Sequence, residues 1–201
     1  MTFLDENGRK IPAHHEAIID DFLISLCEPV STRLNALSFT PNMITTIGLF
    51  FGILSIMCLL KKMYLLSILF LWICYWFDCL DGYYARKYKM ETQFGDYYDH
   101  FRDIFVVGTL IVILLLKLTS YYRLIFIVSI CLALFLVLCQ IGCQEKNSNH
   151  KQANKTLEVF EKLCPSKKFI EITRIGGCST IIVVITIFIL ILNIIHVQHK
   201  N

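Results

Sequence analysis

Long apolar stretches alternate with short polar interruptions along this chain, and the interruptions fall at intervals suited to membrane-crossing helices. A helix needs about 20 mostly apolar residues to cross the hydrocarbon core. Met43–Leu60 is the first such stretch, closed by Lys61 and Lys62, and Tyr64–Phe77 is the second, running straight into Asp78. Ile104–Leu116 forms most of a third, Leu124–Ile141 a fourth and Ile175–Ile195 a fifth. Before them, Ile18, Ile19, Phe22, Leu23 and Leu26 recur at three- and four-residue steps opposite Asp20, Asp21 and Glu28. That period predicts an amphipathic helix lying in the membrane interface. Thr40 and Pro41 supply an N-cap and a first helical position for the first span.

The expected fold is therefore an all-α integral membrane bundle of five to six transmembrane helices with an N-terminal interfacial helix. Residues 1–40 read as tail and interfacial helix, and residues 41–201 as the transmembrane domain. Within the latter, 144–168 is a polar, Lys- and Asn-rich loop broken by Pro165, with a candidate short helix at Leu157–Leu163. No internal repeat stands out. MTFLDENGRK has no apolar core, so no signal peptide is expected and insertion is assigned to the internal spans.

Composition agrees with lipid as the solvent. Apolar residues make up 56% and charged residues 17%, against roughly 45–50% and about 25% in soluble proteins. The net charge of +3, with basic residues spread rather than striped, excludes nucleic acid as a partner. Of the nine cysteines, Cys58, Cys74, Cys131 and Cys139 lie inside apolar runs, where a thiol behaves as a small hydrophobe. No C-x-x-C pair exists, and Cys139 and Cys143 share a helical face without histidine partners, so neither a disulfide framework nor zinc is expected. His14, His15, His196 and His199 are assigned no metal. Tyr83, Tyr84, Tyr97 and Tyr98 read as interfacial anchors.

The candidate chemistry sits between the second and third spans. Asp78 and Asp81 are spaced i,i+3 at one helix end, and Asp99 and Asp103 are spaced i,i+4 at the start of the next. Each pair shares a face, and an eight-residue connection with Gly95 as its turn allows the two helices to lie antiparallel. Four carboxylates then converge at the membrane boundary. At a bilayer centre each costs roughly 2.5–3.5 kcal/mol, so a positive group is expected among them. All-oxygen donors select hard cations, Mg²⁺, Mn²⁺ or Ca²⁺ rather than zinc, and four acids can hold two ions clamping a phosphoryl group. Gly82 and Ala85 leave the acidic face without bulk, and Arg86 can meet phosphate bidentately.

If the spans alternate, fourteen of the nineteen Lys and Arg lie on the face that carries the aspartates. The positive-inside bias places that face in the cytosol. The sequon at Asn154 is then expected to stay unmodified.

The eight fixed positions Asp78, Asp81, Gly82, Ala85, Arg86, Gly95, Asp99 and Asp103 carry the pattern D-x2-D-G-x2-A-R-x8-G-x3-D-x3-D. It resembles that of the CDP-alcohol phosphatidyltransferase family, and Pro41-Asn42-Met-Ile-Thr45 resembles the family's P-N-x-x-T segment. The resemblance spans roughly residues 35–140. It implies metal ligation by Asp78, Asp81, Asp99 and Asp103, with Asp103 also the acceptor's base, and a CDP moiety held by Gly82, Arg86 and Asn42. It also implies attack of an alcohol oxygen on the β-phosphorus with loss of CMP, and a homodimer. Gly95-Asp96-Tyr-Tyr-Asp99-His100 resembles the G-E-x-x-D-H segment of choline- and ethanolaminephosphotransferases, with Asp96 in place of Glu. That branch uses CDP-choline or CDP-ethanolamine and diacylglycerol, in the endoplasmic reticulum of a eukaryote, and makes His100 a second candidate base. The other reading of His100 is an interfacial histidine bonded to a carbonyl. The short chain equally suits the branch that passes CDP-diacylglycerol to inositol, glycerol phosphate or serine. An ion carrier would place its acids near mid-span with inverted repeats, a pattern this chain lacks.

Overall fold

A computed structural model describes residues 8–147, 162, 164–166 and 170–198. These residues are helical apart from turns: α1 (Ile18–Ser25), α2 (Cys27–Ala36), α3 (Pro41–Leu60), α4 (Tyr64–Lys87), α5 (Gln93–Lys117), α6 (Ser120–Asn147), α7 (Ile170–Thr173) and α8 (Ser179–Gln198). Helices satisfy every backbone donor and acceptor internally, which lipid demands. Four of them, α3, α4, α6 and α8, are long and apolar enough to cross a membrane. The 25-residue α5 carries the Ile104–Leu116 stretch behind a charged beginning, so its composition falls short of the other four. The candidate helix at Leu157–Leu163 and the Asn154 sequon lie outside the described residues.

The start of α3 is as the sequence predicts. Thr40 Oγ1 accepts from the Met43 amide, and Pro41 occupies the first turn. Two polar pairs fix how α3 and α4 lie together. At the end far from the aspartates, Ser55 donates to the Ser67 carbonyl (2.8 Å) and Ser67 to the Ser55 carbonyl (2.9 Å), both fully buried. At the near end Thr45 meets Asp81. The two sets run in opposite order, so the helices are antiparallel.

α5 lies chiefly against α3, and parallel to it: Thr46 faces Tyr98, Gly48 faces Arg102 and Gly52 faces Val106. A methyl at Gly52 would sit 2.5 Å from a Val106 methyl, so the absent side chain sets how near the two helices come. α8 closes the other side, with Trp72 Nε1 donating to Thr186 (3.1 Å) and the rings of Phe126 and Phe188 4.8 Å apart.

The N-terminal segment lies across the end of the bundle that carries the aspartates. Arg86 Nε donates to the Gly8 carbonyl (2.8 Å), Gln140 to the His15 carbonyl (3.2 Å) and Arg174 to the Glu16 carbonyl (2.7 Å). Gly8 has φ +73°, and a Cβ there would meet the Tyr83 carbonyl at 2.7 Å. α1 presents Ile18, Phe22 and Leu26 outward, as an interfacial helix should, but its acidic side faces protein rather than water. Asp20 is buried, accepting from Tyr75 Oη (2.8 Å) near the start of α8, whose positive dipole end suits a carboxylate.

Two sequence expectations are corrected. Tyr83 and Tyr84 are buried, not interfacial, because α1 and α2 cover that side of α4; Tyr84 Oη donates to the Phe39 carbonyl (2.8 Å). Cys143 and Cys164 form a disulfide against Ile11, although neither flanking sequence advertises a pair. The other seven cysteines are free, and all of them lie within the described residues.

Glu16, in the N-terminal segment, is buried, and burial, then nearby Asp20, pushes its pKa from 4.5 to about 7, against the pull of Arg86, Arg9 and Lys10. A carboxyl raised in this way favours the folded state when protonated. Its contribution is full below about pH 4.5 and is lost as pH rises through about 7. Thermal unfolding of the detergent-solubilised protein should therefore shift to lower temperature between about pH 4.5 and 7, and Glu16→Gln should flatten that slope. An equal slope in wild type and variant would place the proton elsewhere.

Candidate active site

Asp78 and Asp81 lie in the last turns of α4, and Asp99 and Asp103 in the first turns of α5, so the i,i+3 and i,i+4 spacings deliver each pair to one side of its helix. α4 ends at Lys87, Lys89 follows at φ +55°, and α5 starts at Gln93 with Thr92 Oγ1 accepting from the Gly95 amide (3.0 Å). The turn is thus at Lys89. Gly95, expected to be the turn, lies inside the first turn of α5, where its missing side chain leaves room for Asn42 Oδ1.

Three of the acids converge. Asp78, Asp99 and Asp103 each offer an oxygen atom, and these lie within 4.8 Å of one another. Asp81 sits deeper, 5% exposed, and accepts from Thr45 Oγ1 at 2.7 Å. The positive group that such a cluster needs is Arg102, which sequence reasoning counted only as one more cation on this face. Its Nη2 donates to Asp78 Oδ1, to Asp99 Oδ1 (2.6 Å) and to Asp103 Oδ1 (2.7 Å), and Nη1 reaches Asp81 Oδ2 at 3.4 Å. The arginine is 0% exposed. A signal for it existed: Arg102 is three residues beyond Asp99, hence on the same helical face.

Beside the cluster opens a cavity of about 640 Å³, inside the range of roughly 300–1,000 Å³ found for small-molecule sites. Asn42, Asp81, Gly82, Arg86, Asp99 and His100 all line it; Asp78 and Asp103 do not. Arg86 lies across Gly82, where a Cβ would meet Nη1 at 3.1 Å, so glycine lets the guanidinium lie flat on the cavity wall. Asn42 stands at the first turn of α3, where unpaired amides and the helix dipole favour an anion. His100 Nδ1 lies 2.7 Å from the Asp96 carbonyl. That bond assigns the ring hydrogen to Nδ1 and leaves Nε2 an acceptor. Asp103 accepts at the same Oδ1 from both Arg102 Nε (3.2 Å) and Nη2, and its side chain is 52% exposed.

Hard oxygen donors at this spacing fit a divalent ion such as Mg²⁺ or Mn²⁺, and the guanidinium nitrogen among three carboxylate oxygens shows that the cluster takes a cation at its centre.

No curated protein and no solved structure matches the chain. The model of one family, described as CDP-alcohol phosphatidyltransferase, matches residues 38–199, taking in α3, every residue of the cluster and α8, well past the stretch that carries the sequence pattern. A helical membrane bundle with these aspartates in these places, matched over most of its length, belongs to the CDP-alcohol phosphatidyltransferase family.

Proposed function

We propose that this protein transfers a phosphate-linked amino alcohol from CDP-choline or CDP-ethanolamine to diacylglycerol. Its family moves a group from a CDP-alcohol to a second alcohol with release of CMP and uses divalent ions. The observation that carries the finer reading is the cavity itself. Its nucleotide side has Asn42, Gly82 and Arg86, and its wall also holds Glu91, Asp96 and Tyr97. Two carboxylates and an aromatic ring suit a positively charged ammonium headgroup.

In this reading Asn42 and Arg86 hold the diphosphate, and Gly82 lets it approach the backbone of α4. Asp78, Asp81, Asp99 and Asp103 would hold Mg²⁺ or Mn²⁺, which would supply positive charge against the departing CMP. The acceptor oxygen bonds to the β-phosphorus, the bond from that phosphorus to the bridging oxygen breaks, and the hydroxyl proton passes to a base. Of the two candidate bases, His100 is favoured. It lines the cavity with Nε2 able to accept, whereas Asp103 is outside the cavity wall and its Oδ1 already accepts from Arg102.

Membranes carrying the protein, given Mn²⁺ or Mg²⁺ and diacylglycerol, should release CMP from CDP-choline or CDP-ethanolamine, and chelator should stop it. CMP release from CDP-diacylglycerol with inositol, glycerol phosphate or serine, and none from the amino-alcohol donors, would move the protein to the other branch.

The charge count supports a cytosolic active site, where nucleotide donors are made. The Cys143–Cys164 bond pulls the other way, since disulfides persist in oxidising compartments and the cytosol reduces them. The basic excess rests on many residues and outweighs one pair. Alkylation of intact cells before lysis tests the orientation: recovery of both cysteines as thiols would keep the site in the cytosol. Recovery of the pair still bonded would turn the protein over in the membrane.

A further inference from the structure

We propose that the backbone carbonyl of Gly8 positions Arg86 for the nucleotide diphosphate, which makes the N-terminal segment part of the donor site. This role rests on the reading above in which Arg86 holds the diphosphate, and it names what aims that arginine.

An arginine at a helix end samples many rotamers, and freezing them on binding costs affinity. Here the side chain is held beforehand. Nε donates to the Gly8 carbonyl at 2.8 Å, and the head lies flat on Gly82, where a Cβ would come within 3.1 Å of Nη1 and 3.5 Å of Nη2. Among the described residues Gly8 alone accepts from Arg86, so Nε is spent and both Nη atoms stay free for a ligand. Those two nitrogens form the edge that meets two phosphate oxygens side by side. Arg86 and Asn42 both line the cavity where that ligand would lie.

The acceptor is itself fixed. Gly8 has φ +73°, and a Cβ there would meet the Tyr83 carbonyl at 2.7 Å and Lys87 Cβ at 2.9 Å. Only glycine brings the chain this close to the last turns of α4. Beyond Gly8 the segment is tied down without help from Arg86. Arg9 Nη1 pairs with Asp21 of α1 at 2.7 Å, and Ile11 is buried against Cys143 and Cys164. The His15 carbonyl accepts from Gln140 of α6, and that of Glu16 from Arg174 in the turn after α7. Residue 8 lies ahead of residues 38–199, the part shared with the family, so membership assigns it no role.

The experiment measures nucleotide binding without turnover. Purified full-length protein in detergent, with Mg²⁺ present, is titrated calorimetrically with CDP, the moiety common to both classes of donor. Gly8→Ala should weaken CDP binding about tenfold, the lower end for a hydrogen bond to a charged group. Its affinity for Mn²⁺, followed by electron paramagnetic resonance, should match wild type. Arg86→Met should weaken CDP as well, and adding Gly8→Ala to it should cost nothing more, because the two changes break one connection. Unchanged CDP affinity in Gly8→Ala, beside a loss in Arg86→Met, would overturn the proposal and leave the arginine on the diphosphate. A further loss in the double variant, or a parallel loss of Mn²⁺ affinity in Gly8→Ala, would overturn it too, since the segment would then act elsewhere or on the whole fold. Full CDP affinity in Arg86→Met, or none in wild type, would remove the donor reading along with it. If Gly8→Ala does not fold, Ile11→Ala loosens the same segment and should show the same pattern with a smaller loss; no loss there would overturn the proposal.

Discussion

Asp81→Asn should lower CMP release by about 10³-fold, in line with losses seen when one preorganised charged or polar group is taken from a transition-state site. Asparagine keeps the shape, and its carbonyl oxygen can still accept from Thr45 Oγ1 at 2.7 Å, so the α3–α4 contact survives while the charge is gone. Asp81 is the acid that joins all parts of the site. It is buried, it faces Arg102, and it lines the cavity next to Gly82. The measurement is CMP release at matched amounts of protein in the membrane, with a thermal-unfolding control. Activity within tenfold of wild type would mean that the carboxylate cluster takes no part in the chemistry.

His100→Asn is expected to reduce turnover by about 10²- to 10⁴-fold, the usual range for a positioned general base, and to leave Mn²⁺ binding unchanged. The ring is held by the Asp96 carbonyl four residues earlier and stands 46% exposed at the cavity. Asparagine can reproduce the hydrogen bond of Nδ1 but cannot take a proton. Asp103→Asn should weaken Mn²⁺ binding together with turnover, since its loss acts on the cluster and not on the proton. Turnover within tenfold of wild type in His100→Asn would put the base on Asp103.

Much of this was legible in the residues alone. The apolar runs locate the helices, and Thr40-Pro41 marks the start of α3 to the residue, but α4 runs on past Phe77 to Lys87 and α5 begins at Gln93, well before Ile104. The acid spacings are a property of helical geometry, so their convergence needed only a short connection between α4 and α5. What escaped was the interior of the cluster. Arg102 has the same residue type as any surface cation, and only its three-residue offset from Asp99 betrays that it points inward. Asp20 was hidden for a related reason. An amphipathic pattern tells two faces apart but not which one meets lipid, and here the apolar face looks outward while the acid is spent on Tyr75. Tyr83 and Tyr84 read as anchors because covering by α1 and α2 is a tertiary event with no period in the sequence. The Cys143–Cys164 bond likewise joins residues 21 apart across a polar loop, and nothing local links them.

The two serines at the far end of the α3–α4 hairpin bear on all of this from a place no ligand reaches. Successive residues of an α-helix are turned by about 100°. If α4 slid by a single residue against α3, Asp81 would swing away from Thr45 and Asp78 away from Arg102. Ser55 and Ser67 each clasp the other's carbonyl, a reciprocal latch that closes in one register only. The aim of the acids is thus set about 15 Å down the hairpin, ten residues along α3 at 1.5 Å each, in the manner of a sight fixed at both ends of a barrel.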